Sequence, residues 1–117
     1  MGLDTTHGAW HGSYSSFGTW RTEVAKQAGF PPLYEMYGYG GNRFWDDYLT
    51  HPLYELLNHS DCDGEIKWED CKIIADGLLE ILDKMPNDFP FSLRKKTKQF
   101  IDGCMLAYNS KENLEFQ

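Results

Sequence analysis

The run His59-Ser60-Asp61-Cys62-Asp63-Gly64-Glu65-Ile66-Lys67-Trp68-Glu69-Asp70 sets acidic side chains, a turn glycine and an apolar residue on the spacing of a calcium-binding helix-loop-helix. Counted from His59, Asp61 and Asp63 occupy the third and fifth positions, Gly64 the sixth, Ile66 the eighth and Asp70 the twelfth. The two ends depart from that pattern. His59 stands where a hard carboxylate begins such a loop, and Asp70 is shorter than the glutamate that holds calcium through both oxygens. Lys67 puts a cation where a water-mediated ligand usually sits. These changes lower calcium affinity, whereas an imidazole beside two carboxylates suits borderline metals such as manganese, zinc or iron. The expected ligands are therefore His59, Asp61, Asp63 and Asp70, and the expected cofactor is one divalent ion: Mg, Mn, Zn or Ca. A second reading needs no metal. Asp61 and Asp63 then bond their own backbone in a tight turn, Gly64 takes a positive φ, and the following helix begins. Such loops usually work in pairs, but Asp46-Asp47 lacks the following glycine, and the stretch from Asp83 to Asp88 is interrupted by Pro86.

A second constellation opens the chain: Asp4, His7 and His11 lie among glycines and beside Trp10 and Tyr14. On a helix, His7 and His11 would share one face, as metal ligation requires, but Gly8 and Gly12 disfavour a helix. A looped form could converge on a metal or a phosphate, because glycine lets backbone amides approach a ligand closely. The alternative is a terminal loop docked on the core, with both imidazoles bonded to buried carbonyls. A third cluster, Arg94, Lys95, Lys96 and Lys98, sits at a predicted helix start, where cations oppose the helix dipole. It reads as a solvated face or as an anion site. No nucleophile elbow and no phosphate-binding glycine loop is present.

The elements that must position these residues are predominantly helical. Phe17, Trp20, Val24 and Ala28 predict a helix from Ser16, stopped by Gly29 and Pro31-Pro32. Leu53, Leu56 and Leu57 predict a short helix that runs into the acidic loop. Cys71, Ile74, Ala75, Leu78, Ile81, Leu82 and Met85 form one apolar face ended by Pro86. Thr97, Phe100, Ile101, Cys104 and Tyr108 share one side of a last helix from about Leu93. The first fourteen residues read as an ordered loop. Residues 30–50, rich in Tyr, Trp, Phe and Gly, read as a long connection that packs down over the core. The expected fold class is all-α, a single domain over residues 1–117 with about four helices, two of them long.

At 117 residues with 41% hydrophobic and 15% aromatic content, the chain can bury a core without disulfide staples. Its formal charge of −7 argues against general nucleic-acid binding, which needs basic residues to release counterions. Cys62, Cys71 and Cys104 are odd in number, form no Cys-x-x-Cys pair and follow no signal-peptide pattern, so reduced thiols in a cytoplasm are expected. No apolar run approaches membrane-spanning length.

The segments Gly2-Leu3-Asp4-Thr5-Thr6-His7, Trp10-His11-Gly12, Tyr14, Phe17, Trp20-Arg21, Leu56 to Glu65 and Phe100-Ile101-Asp102-Gly103-Cys104 together resemble a family of small uncharacterised proteins of tailed phages and prophages. The resemblance implies a phage-encoded protein in the cytoplasm of an infected bacterial host and carries over no catalytic residue. Small accessory phage proteins often bind host defence components or sequester their signals, which favours an interaction role.

The leading expectation is a non-enzymatic binding protein in which His7, Trp10, His11, Tyr14, Arg21 and Trp45 capture a small ligand, such as a nucleotide signal, or a host component. Aromatic faces would stack a base and arginine would meet phosphate. The rival is a metal-dependent hydrolase in which His7, His11, His59, Asp61 and Asp63 activate a water. A third reading is an inhibitor whose acidic surface mimics nucleic acid. Aromatic surface within residues 34–48 could also serve as a contact between copies of the chain.

Overall fold

Helical periodicity places the frame. The computed structural model describes residues 2–59, 64–87 and 92–116. Helix α1 spans Tyr14–Ala28; Ser13 caps it by accepting the Ser16 N–H at 3.0 Å, and Gly29, at φ 87°, closes it by donating to the Ala25 and Lys26 carbonyls. Helix α2 is the short Tyr54–Leu57 segment. Helix α3 spans Trp68–Ile81 and continues into a tighter turn at Leu82–Lys84. Helix α4 spans Leu93–Ser110 behind a Ser92 cap and ends on Lys111, a non-glycine residue at φ 54°. Three helices are thus long rather than two, because α1 extends through its serine-rich start to the cap at Ser13. No helix among the described residues is long and apolar enough to cross a membrane.

The all-α expectation is corrected by two small antiparallel sheets. Strand β1 (Gly2–Asp4) pairs with β2 (His11–Ser13), Leu3 opposite Gly12, so the opening segment is a hairpin and not a loop. Strand β3 (Glu65–Ile66) pairs with β4 (Leu114–Glu115), Ile66 opposite Leu114. Strands of two or three residues are too short to display the alternation by which strands are recognised, and β3 finds its partner far along the chain. Ile66, at the eighth position of the acidic loop, thus takes its strand partner from the C-terminal segment instead of a second loop.

Helices α3 and α4 pack extensively on each other, and their buried thiols, Cys71 and Cys104, interact across the pair. Both are free cysteines. Helix α1 lays Phe17, Trp20 and Val24 on this pair, and Trp20 meets Phe100 at a tilt, ring centres 4.9 Å apart, while its indole N–H donates to Thr97 Oγ1 at 2.9 Å. The hairpin's turn, which includes a helical turn at Thr6–Gly8, lies directly on α4. A β-carbon on Gly103 would sit 2.4 Å from Ala9 Cβ and 2.5 Å from Ala9 Cα, so only glycine permits this approach.

The aromatic connection divides into inward and outward residues. Leu33, Met36 and Trp45 are buried, and Phe30 stacks on Tyr48 at 4.8 Å and meets His51 edge-on at 4.6 Å. Tyr34, Tyr37 and Phe44 instead remain 72%, 62% and 66% exposed, so the connection packs down in part and keeps an aromatic outer surface.

Two outcomes follow from this packing. Gly103→Ala should destabilise the protein by about 1–3 kcal/mol in urea unfolding, as overpacking does, and Ala9→Gly should rescue it poorly because Ala9 backbone atoms also lie within 3 Å. Wild-type stability in Gly103→Ala would show that the helix and turn do not touch. Separately, burial holds the His51 imidazole below its ordinary value of 6.5, partly opposed by Glu80, and the Leu53 N–H donates to His51 Nδ1 at 3.0 Å. A depressed folded value favours the neutral ring, so this contribution is present above pH 6.5 and lost as pH falls through the folded value. His51→Asn should flatten that part of the Tm–pH curve; an unchanged slope would remove His51 as its source.

Candidate functional site

The acidic loop is clasped at both ends. Arg21, buried on α1, donates from Nη1 to the Leu56 carbonyl at 3.3 Å and to the His59 carbonyl at 2.6 Å. Its guanidinium lies between the Phe17 ring at 4.6 Å and the Tyr39 ring at 5.3 Å. A buried charge is tolerated when it is hydrogen-bonded, and two aromatic faces add cation–π attraction. His59 donates from Nε2 to the Glu65 carbonyl at 3.1 Å, and its ring rests on Phe116 at 4.3 Å. Gly64 has a φ of 91°, as both readings of the loop require. Asp70 lies in the first turn of α3, where its N–H donates to the Lys67 carbonyl. Asp61 and Asp63 lie outside the described residues. Among the described residues, no three His, Cys, Asp or Glu side chains converge as a metal cluster.

The histidines of the hairpin go separate ways. His7, at φ 62°, donates from Nε2 to Glu112 Oε1 at 2.9 Å, and its Nδ1 takes the Thr6 hydroxyl at 2.9 Å. The same Thr6 oxygen accepts the Glu115 N–H at 2.9 Å, giving a continuous chain from β4 through threonine to histidine. His11 is exposed on the other limb and pairs with Asp4 across β1 and β2. Spacing alone could not show whether the opening segment meets the acidic loop. The two flank one C-terminal segment: Thr5 bridges Phe116 on one side, while Phe116 donates its N–H to the Gly64 carbonyl at 2.9 Å on the other. His7 and His59 engage different residues of that segment, Glu112 and Phe116.

The remaining residues of the expected ligand set hold the fold. Trp10 is buried against Phe17 and Trp20, at 5.1 and 5.3 Å, with the Lys96 ammonium 4.8 Å from its ring centre. Tyr14 begins α1 and packs on the core. Trp45 is buried and donates from its indole to the Tyr37 carbonyl at 2.9 Å. The basic cluster is likewise drawn into local bonds. Lys96 donates to the His11 carbonyl, Arg94 to the Met85 and Asp83 carbonyls, and Lys98 pairs with Asp102 at 2.7 Å.

Among the described residues, two open grooves bear on the expected site. One is an acidic groove of about 430 Å³ lined by Thr6, His7, Glu65, Glu112, Asn113 and Glu115. Its three carboxylates repel a phosphate. The other lies on the aromatic lobe at residues 33–49, where an open groove of about 680 Å³ is lined by Tyr34, Glu35, Gly40, Gly41, Asn42 and Arg43. The lobe is held from within: Tyr37 donates to the Arg43 carbonyl at 2.8 Å, Arg43 to the Glu35 carbonyl at 2.9 Å, and Gly41 to the Met36 carbonyl at 3.3 Å. A β-carbon on Gly41 would lie 2.2 Å from the Glu35 carbonyl group, so the crossing is specific to glycine. Tyr37 and Phe44 lie side by side on its outer face, ring centres 5.8 Å apart. Tyr34, Tyr37 and Phe44 were absent from the expected ligand set, although the density of aromatic residues among glycines marked the segment.

No protein-family model, curated protein or solved structure matches the chain.

Arg21→Lys keeps the charge but loses the planar guanidinium that lies over two rings while its Nη1 reaches the Leu56 and His59 carbonyls. It should cost about 1.5–3 kcal/mol in urea unfolding, the worth of hydrogen bonds from a charged donor. An unchanged midpoint would show that the loop is not held by this residue.

Proposed function

We propose that this protein is a non-enzymatic interaction protein that docks a protein partner through the aromatic lobe at residues 33–49. In the phage setting implied by its sequence resemblance, that partner is a component of the bacterial host. The observation that carries this reading is the exposure of Tyr34, Tyr37 and Phe44 on a lobe closed by its own backbone hydrogen bonds. Aromatic side chains are enriched at the cores of protein interfaces. A lobe already fixed by Trp45 and Gly41 loses little conformational entropy when it docks.

A protein partner is favoured over a captured nucleotide because Trp10, Arg21 and Trp45, the groups expected to stack a base or meet a phosphate, are buried. The acidic loop then serves the fold as a brace, clasped by Arg21 and His59.

The test is photocrosslinking in bacterial cells from a reactive residue at position 44, with position 79 as control, since Leu79 is also exposed but lies on α3. Position 44 should yield a discrete adduct with one host protein that disappears when Tyr34 and Tyr37 are both changed to Ser. Equal adducts from both positions, or none from position 44, would overturn the proposal.

A further inference from the structure

Resting on the reading that the lobe docks a protein, we infer that the segment it takes is basic and bears arginine. The charge of the lobe and of the residues that follow it points that way. Asp46 and Asp47 follow Trp45 and are exposed, Glu55 is exposed nearby in sequence, and Glu35 borders the groove. Against these four carboxylates, residues 33–58 supply one permanent cation, Arg43, whose Nη1 lies 3.7 Å from Glu35 Oε1. The lobe thus combines adjoining aromatic faces with unbalanced negative charge.

Guanidinium answers both features. It stacks flat on aromatic rings while its N–H fork bonds carboxylates in pairs, whereas a lysine ammonium is a strongly hydrated point charge. The chain already contains the ring contact, with the Arg21 guanidinium 5.3 Å from the Tyr39 ring on the inner side of the same lobe, where its N–H groups meet backbone carbonyls. A second copy of the chain fits poorly, since acidic rims would face each other and each copy carries a formal charge of −7. Nucleic acid is disfavoured for the same reason.

Isotope-labelled full-length protein would be titrated with nona-arginine and nona-lysine peptides, equal in charge, at physiological salt, with binding read from amide shifts. A −7 chain will hold any polycation weakly, so the diagnostic is the preference for arginine and where it maps. The expected result is about 5-fold or more tighter binding of the arginine peptide, with shifts centred on residues 34–47. Tyr37→Ser with Phe44→Ser, both exposed and so expected to fold, should abolish that preference while leaving residual binding. Asp46→Asn with Asp47→Asn should weaken both peptides. Equal affinities, shifts centred on Glu65, Glu112 and Glu115, or concentration-dependent dimerisation through position 44 would overturn the inference. The two failures are distinguishable. A host adduct whose crosslinked peptide lacks arginine would overturn the basic-segment inference and leave docking standing, whereas the absence of any host adduct would overturn the docking reading and the inference with it.

Discussion

Ala9 rests on α4 at the one place where α4 has no side chain, and the order of the structure spreads from that contact. With Ala9 held against Gly103, Trp10 is committed to the core against Phe17 and Trp20, and the turn is pinned where the Trp10 N–H donates to Thr5 Oγ1 at 3.0 Å. Thr6 and His7 are thereby turned toward the C-terminal segment, which they bind through Glu115 and Glu112. That segment in turn pairs with β3 and sets the exit of the acidic loop. A steric condition at one glycine thus reaches, through short polar links, a loop from the middle of the chain.

The polar groups follow one economy. Arg21, Lys96 and Arg94 each give hydrogen bonds to backbone carbonyls at the ends or edges of other elements, so most of the cationic side chains that sequence marks as anion-binding are engaged in holding the chain to itself. The carboxylates have fewer such duties. Glu65, Glu112 and Glu115 line one groove, and Asp46 and Asp47 are exposed beside Trp45, so acidic side chains and, at the lobe, aromatic ones reach the outer surface. Function is therefore to be sought in what that surface can attract.

The helices were legible because their signals are local: Gly29 stops α1, and Phe17, Trp20 and Val24 repeat with the helical period, although the cap at Ser13 starts α1 two residues ahead of the expected Ser16. The sheets were not, since neither the pairing of Ile66 with Leu114 nor that of Thr5 with Phe116 leaves a trace within any short window. The candidate site shows the same division. Gly64 could be recognised as a turn glycine from its neighbours, whereas the loss of Trp10, Arg21 and Trp45 to the interior depended on α1, α4 and the lobe meeting in space. Tyr34, Tyr37 and Phe44 were visible as aromatic residues, but composition cannot say which rings of a crowded segment face outward.

The antiparallel bridge between Thr5 and Phe116 has a consequence for biosynthesis. Chains emerge from the ribosome N-terminal end first, and contacts distant in sequence form only when both partners are available. The hairpin and the acidic loop are both tied to residues 112–116, so neither can reach its final setting until those residues have been translated. Until then Trp10 and Phe17, which lie against one another in the finished fold, belong to a nascent chain whose closing strand does not yet exist. The final setting of the hairpin and of the acidic loop's exit is thus coupled to translation of β4.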